Sequence, residues 1–262
     1  MHAAPKITHL GIPDSGVAML PGGSPEFGDA LASFADEVAL SALRPLFPYC
    51  VLLKNESTSR LLAILVRYEL TDDKGKVIPH HFMLGTINHK PHLMIPPGAF
   101  VLITPITGLN VLLQSKPAPV GVQHTDELTY FISSTVDQYS KQSAISVSLD
   151  SVVFEDGTLV GPDRTKNLHR INAWISAEKE VAAALAGRRG PDVIRYLSTI
   201  LETPAKVASS YSEVDQFDDH RRSFASGLLQ RFDAHQSVDT LLAEVNSRVE
   251  SLTPTLRRKD IR

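Results

Sequence analysis

Four histidines, His80, His81, His89 and His92, fall within a span of thirteen residues. Imidazole nitrogen is a common ligand for zinc and other transition metals. The spacing His89-x-x-His92 brings two rings together in a tight turn, so His80, His89 and His92 are the candidate metal ligands. A closed zinc site needs four ligands in fixed geometry, and no carboxylate or cysteine lies between these positions. Pro79, Pro91, Pro96 and Pro97 give the segment a loop character. A solvent-exposed loop cluster is the plainer account of the histidines, and no cofactor is expected.

A second set is acidic. Asp150, Glu155, Asp156 and Asp163 surround the run Phe154-Glu155-Asp156-Gly157-Thr158. Carboxylates on loop tips can bind calcium, and a pair can act as acid and base on a glycoside. The spacing does not match an EF-hand loop, Asp156-Gly157 has a structural role as a hairpin turn, and Asp163 suits a helix N-cap. Cys50 lies in the apolar run Tyr49–Leu53 and reads as a buried, inert thiol. There is no G-x-S-x-G elbow and no phosphate-binding glycine loop of either common type. Arg188-Arg189 and Arg221-Arg222 read as water-facing charges, and Trp174 as a packing residue. The catalytic set is therefore empty. The enzyme alternative is a metal-dependent hydrolase whose site joins dispersed loop groups such as His80, His89 and Asp163.

Composition narrows the partners. Twenty-six basic against 29 acidic residues give a net charge of -3, which supplies no global attraction to nucleic acid or an anionic membrane. The one basic cluster, Arg257, Arg258, Lys259 and Arg262, is short and expected to be solvated. A single cysteine excludes an intrachain disulfide. No run approaches the roughly 20 apolar residues of a membrane helix. Met1–Gly16 lacks the charged and apolar regions of a secretory signal, so a cytoplasmic location is expected if Met1 is the native start, and an exported one if a signal segment was removed.

The elements that must position these groups divide the chain. Prolines 5, 13, 21 and 25 and glycines 11, 16, 22 and 23 mark residues 1–28 as a flexible leader. Leu31, Phe34 and Val38 suggest a short helix over 29–43, ended at Arg44-Pro45. Strands follow at Tyr49–Lys54 and Arg60–Leu70, where Leu62, Ile64, Val66, Tyr68 and Leu70 share one face of a period-two pattern. Further strands are expected around Phe82–Leu84, Ala99–Thr104, Leu109–Gln114 and Tyr130–Ser134, with 115–128 as a long loop. Ile145, Val147 and Leu149 alternate, then Val152 and Phe154 change parity, which predicts a β-bulge near Asp150–Ser151. The Asp156-Gly157 hairpin and Gly161-Pro162-Asp163 close this domain, residues 29–163.

From 164 to 254 the period is helical. Leu168, Ile171, Trp174, Ile175, Glu178, Val181 and Leu185 form one stripe. Gly187 and Gly190-Pro191 separate it from a shorter helix. A long stripe carries Val207, Tyr211, Val214, Phe217, Arg221, Phe224, Leu228 and Phe232, and Ser237 caps a last helix. Amphipathic stripes need a cover. They pack on one another or on the sheet, or they engage another protein or a second copy, with Phe217, Phe224, Leu228 and Phe232 as the candidate binding residues. Residues 255–262 form a basic tail.

Leu53-Lys54-Asn55-Glu56-Ser57, then Tyr68-Glu69-Leu70-Thr71-Asp72 with Asp73, Gly75 and Lys76, then Pro97-Gly98, resembles the FxLYD-type group of bacterial β-sandwich modules. Leu70 and Asp72 match the namesake positions, while Tyr68 replaces Phe and Thr71 replaces Tyr. The resemblance covers about residues 54–104. It implies an immunoglobulin-like topology in a module without known catalysis, often in exported proteins. The expected architecture is thus α+β, an antiparallel immunoglobulin-like β-sandwich followed by a helical segment. The expected role is that of a non-catalytic protein-binding or assembly module.

Overall fold

In the computed structural model, residues 4–34, 41–85, 94–106, 109, 111–113, 126–203, 213–233 and 237–259 are described. The strands are β1 (Lys6–Leu10), β2 (Val17–Pro21), β3 (Val51–Asn55), β4 (Leu61–Thr71), β5 (Val77–Gly85), β6 (Phe100–Ile103), β7 (Val111–Leu113), β8 (Ala144–Phe154), β9 (Thr158–Val160) and β10 (Arg257–Arg258). The helices are α1 (Pro25–Ala32), α2 (Asp126–Ser140), α3 (Asn167–Leu185), α4 (Pro191–Glu202), α5 (Glu213–Asp233) and α6 (Val238–Glu250), with a 3-10 helix at Arg44–Tyr49.

The chain is mixed α+β. One sheet has the order β10-β9-β8-β4-β5, with β1 also paired to β8, and the other has the order β2-β3-β6-β7. Their facing side chains form one core: Ile64, Val66, Tyr68 and Leu70 from β4, Ile145, Val147 and Leu149 from β8, Val51 and Leu53 from β3, Val101 and Ile103 from β6. The expectation of a purely antiparallel arrangement is corrected, because β1 pairs parallel with β8 and β10 parallel with β9.

The period-two pattern of β4 is interrupted once. Leu61 faces Phe154 and Ala63 faces Val153, which leaves Leu62 as an extra residue. Leu61 therefore enters the core between the sheets, while Leu62 joins Ala63 on the opposite side. The predicted bulge in β8 is present: Leu65 pairs with Ser151 and Val66 with Leu149, so Asp150 is the unpaired residue. At the hairpin that follows, Gly157 takes φ +80, a conformation that a Cβ disfavours.

Three segments differ from the sequence reading. The leader is structured, with β2 antiparallel to β3 and β1 laid along β8. Its Gly11, Pro13 and Gly16 occupy the connection between these strands, and Ser24 and Pro25 open α1, where the Ser24 side chain accepts from Phe27 N–H. Tyr130–Ser134 belongs to helix α2. Leu128, Ile132, Val136 and Tyr139 recur at helical spacing and cover the core, while Tyr130 is 69% exposed. In the basic tail, Arg257 pairs with Thr158 and Arg258 with Leu159, anchored by buried Leu256.

The helices pack on one another and on the sheet. Val181, Leu185, Val193, Leu197, Phe224, Leu228, Leu241 and Val245 make a bundle core. Ile171 and Ile175 of α3 meet Leu62, Ala63, Val153 and Leu159 on the outer face of the larger sheet. Ser237 caps α6 as predicted, accepting from Thr240 N–H at 3.2 Å. Among the described residues, no helix is long and apolar enough to cross a membrane.

Candidate functional site

The β8 bulge turns the Asp150 carboxylate inward, where it accepts from Arg164 N–H (2.9 Å), Thr165 N–H (3.2 Å) and the Thr165 hydroxyl (2.5 Å). Asp163, at φ +50, accepts from Asn167 and Leu168 N–H at 2.6 and 3.1 Å. These two residues of the acidic set thus fix the entry of α3, as an N-terminal cap does. Burial raises the Asp163 pKa, and the two N–H donors offset only part of that. Asp156 accepts from the N–H and hydroxyl of Thr158 within its own turn.

From this fixed start, α3 presents a row of functional side chains to the seam between sheet and bundle. Buried Asn167 donates to the Ser151 hydroxyl and accepts from Arg170 Nη2 at 2.5 Å. The Arg170 guanidinium lies 5.2 Å from the centre of the Trp174 ring, a cation–π distance. Trp174 stacks on His220 of α5, with centroids 5.2 Å apart and planes 22° apart.

One turn further along α3 is Glu178, whose side chain has 0% exposure. Arg248 of α6 holds it with a fork, Nε to Oε2 and Nη2 to Oε1, both 2.5 Å. His220 lies 3.0 Å from Oε1. Burial alone would raise the glutamate pKa, but the hydrogen bonds and charges of His220 and Arg248 outweigh it and hold the group below its ordinary value. An ionised carboxylate only accepts, so His220 Nε2 is the donor. The Arg248 guanidinium also lies 5.4 Å from the Phe224 ring centre.

A cleft of about 170 Å³ opens beside this cluster. Ala63, Met83 and Ile171 line its apolar side, and Trp174, His220 and Arg248 the other. No family model, curated protein or solved structure matches this chain. The chemistry of the cleft therefore rests on its own residues. It offers one aromatic wall, an apolar floor and two nitrogen groups oriented by an enclosed carboxylate.

The other candidates fall elsewhere. His80 is a half-buried residue of β5 opposite Tyr68, and His81 follows on the opposite face opposite Arg67. The loop character assigned to this stretch is corrected, because residues 77–85 form a strand. His89 and His92 lie outside the described residues, among which no group of three His, Cys, Asp or Glu could hold a metal ion. Phe224 and Leu228 are buried in the bundle core, which removes them from the candidate binding face. Phe217 is half-buried, and Phe232 lines an open hollow with Pro191, Ile194 and Val238. Cys50 is enclosed, and burial pushes its thiol up, which disfavours the nucleophilic thiolate.

The pair Arg221-Arg222 also has partners. Arg221 bridges to Glu180 at 2.8 Å, and Arg222 donates to the carbonyls of Ile200, Leu201 and Thr203 at the end of α4. The readable signal for the cleft was Glu178, a charge on an otherwise apolar stripe, because a buried charge requires a partner.

Proposed function

We propose that this chain is a non-catalytic binding module, in which the two sheets serve as an immunoglobulin-like scaffold and a protein partner adds a strand at the edge formed by β5. Among the described residues no strand pairs with the outer edge of β5, and that edge carries this reading. The strand is nine residues long and ends the larger sheet. Val77 and Ile78 are 50% and 42% exposed at one end of it.

The register gives the edge a polarity. Pro79 stands opposite Glu69 and has no N–H to donate to β4, so this is a non-hydrogen-bonded pair and Pro79 turns its backbone to the free side. Alternation then aims the N–H groups of Val77, His81 and Met83 outward as well. Main-chain pairing of this kind supplies affinity, and alternate side chains supply specificity. β5 carries two histidines and no carboxylate, which favours an extended apolar segment bearing acidic residues.

Peptide display on immobilised protein tests the reading. The expected binders alternate apolar and polar residues, include acids, and are lost from the His81→Pro variant, which removes one outward donor. Circular dichroism checks that the variant is folded. Binders that hold equally well to His81→Pro, or no enrichment at all, would count against strand addition.

A further inference from the structure

We propose that the cleft between the β4–β5 face and helices α3, α5 and α6 binds a small carboxylate whose apolar body is one ring or a short alkyl chain. This site is separate from the β5 edge in its chemistry and in its test.

Size sets the first limit. The cleft volume of about 170 Å³ is close to that of an apolar cavity known to accept benzene, about 150 Å³. The floor of Ala63, Met83 and Ile171 and the wall of Trp174 suit a ring or a chain of similar bulk. No hydroxyl or amide lies among these four side chains, so a sugar or another polyol would find its hydroxyls unpaired at that end.

Charge sets the second limit. The carboxylate of the cluster is Glu178, and it is enclosed behind its two partners. Arg248 commits Nε and Nη2 to it, and His220 commits Nε2. Arg248 Nη1 and His220 Nδ1 have no partner among the described residues, and both side chains line the cleft with partial exposure, 35% and 21%. A second cation, Arg170, backs the wall through its contacts with Trp174 and the Met83 sulfur, 3.6 Å away. The cleft surface thus presents the uncommitted Arg248 Nη1 donor over an apolar floor. Glu178 serves as a positioning residue that orients Arg248 and takes no place in the ligand contact. A small carboxylate matches this division: its charged group meets Arg248 and its apolar body lies along Trp174.

The chain contains a single tryptophan, Trp174, so its fluorescence reports this cleft alone. Titration of the intact protein with benzoate is expected to change the emission saturably. Benzamide, the neutral counterpart of the same shape, should bind at least about ten-fold more weakly, the loss of one charged contact of roughly 1.4 kcal/mol. Equal response to benzoate and benzamide, or no saturable response to either up to about 20 mM, would overturn the proposal. Met83→Phe, which fills the apolar end, should abolish the benzoate response while the near-ultraviolet circular dichroism stays native. An undiminished response in folded Met83→Phe would place binding elsewhere and also overturn it. If that variant does not fold, the benzoate–benzamide comparison in the wild-type protein decides alone.

Discussion

Arg248 and Glu178 meet through two parallel hydrogen bonds of 2.5 Å, and the carboxylate so held has no exposed surface. The pair joins α6 to α3, and His220 adds α5. Removing one member of such a pair strands the other, at a cost of about 3–5 kcal/mol when the remaining charge is fully buried. Arg248→Ala leaves Glu178 inside the protein with only His220, so it should lose about 3 kcal/mol or more. Glu178→Gln leaves partners that reach water and should lose less. Urea unfolding of the two variants checks the order.

The same pair predicts an acid limb. The folded protein holds the Glu178 pKa below its unfolded value of about 4.3, so the ionised form is the one the fold favours. Its contribution is fully present above that unfolded value and is lost as pH falls through the folded one. Stability of the wild type should therefore drop more steeply below about pH 4.3 than that of Glu178→Gln. Urea midpoints measured from neutral pH down to about pH 3 should converge for the two proteins in acid.

Two buried tyrosines should respond oppositely to loss of their hydroxyls. Tyr68 donates to the Tyr49 carbonyl at 2.9 Å, and Tyr68→Phe should cost about 1–2 kcal/mol. The Tyr139 hydroxyl is buried without a partner among the described residues. Tyr139→Phe should be neutral or stabilising by up to about 1 kcal/mol. Thermal melts of both variants supply the comparison.

Gly161 tests the turn before α3. Its φ is +127, and an added Cβ would lie 2.5 Å from the Asp150 carbonyl oxygen. Gly161→Ala should cost more than about 2 kcal/mol through strain and displacement of the bulge. A melting temperature within a degree of wild type would contradict this account.

How much of this was legible in the sequence depended on whether each signal was local. The alternation of β4 from Ile64 to Leu70 and the parity change at Asp150 are written within a few residues and appear in the register. Leu62, expected on the same face, lies on the other because of the bulge beside it. Tyr130-Phe131-Ile132 looked like a strand because three large apolar residues stand together. Only the spacing of Leu128, Ile132, Val136 and Tyr139 separates the buried side from the exposed one. β1 had no local signature, since its partner is remote in the chain. Glu178 was visible as a charge on an apolar stripe, but its partners lie 42 and 70 positions away. Nothing in a single sequence selects those two from the other basic residues.

The pairing of β1 with β8 bears on the order of assembly. As the chain leaves the ribosome, β2 and β3 can pair long before β8 exists, whereas Lys6–Leu10 must wait until Ala144–Ser148 has been made. The final two-residue strand waits longer still, for it joins β9 only when Arg257 and Arg258 emerge. Contacts between such distant segments slow folding. Vectorial synthesis would therefore leave Lys6–Leu10 unpaired the longest, an extended segment exposed through most of biogenesis.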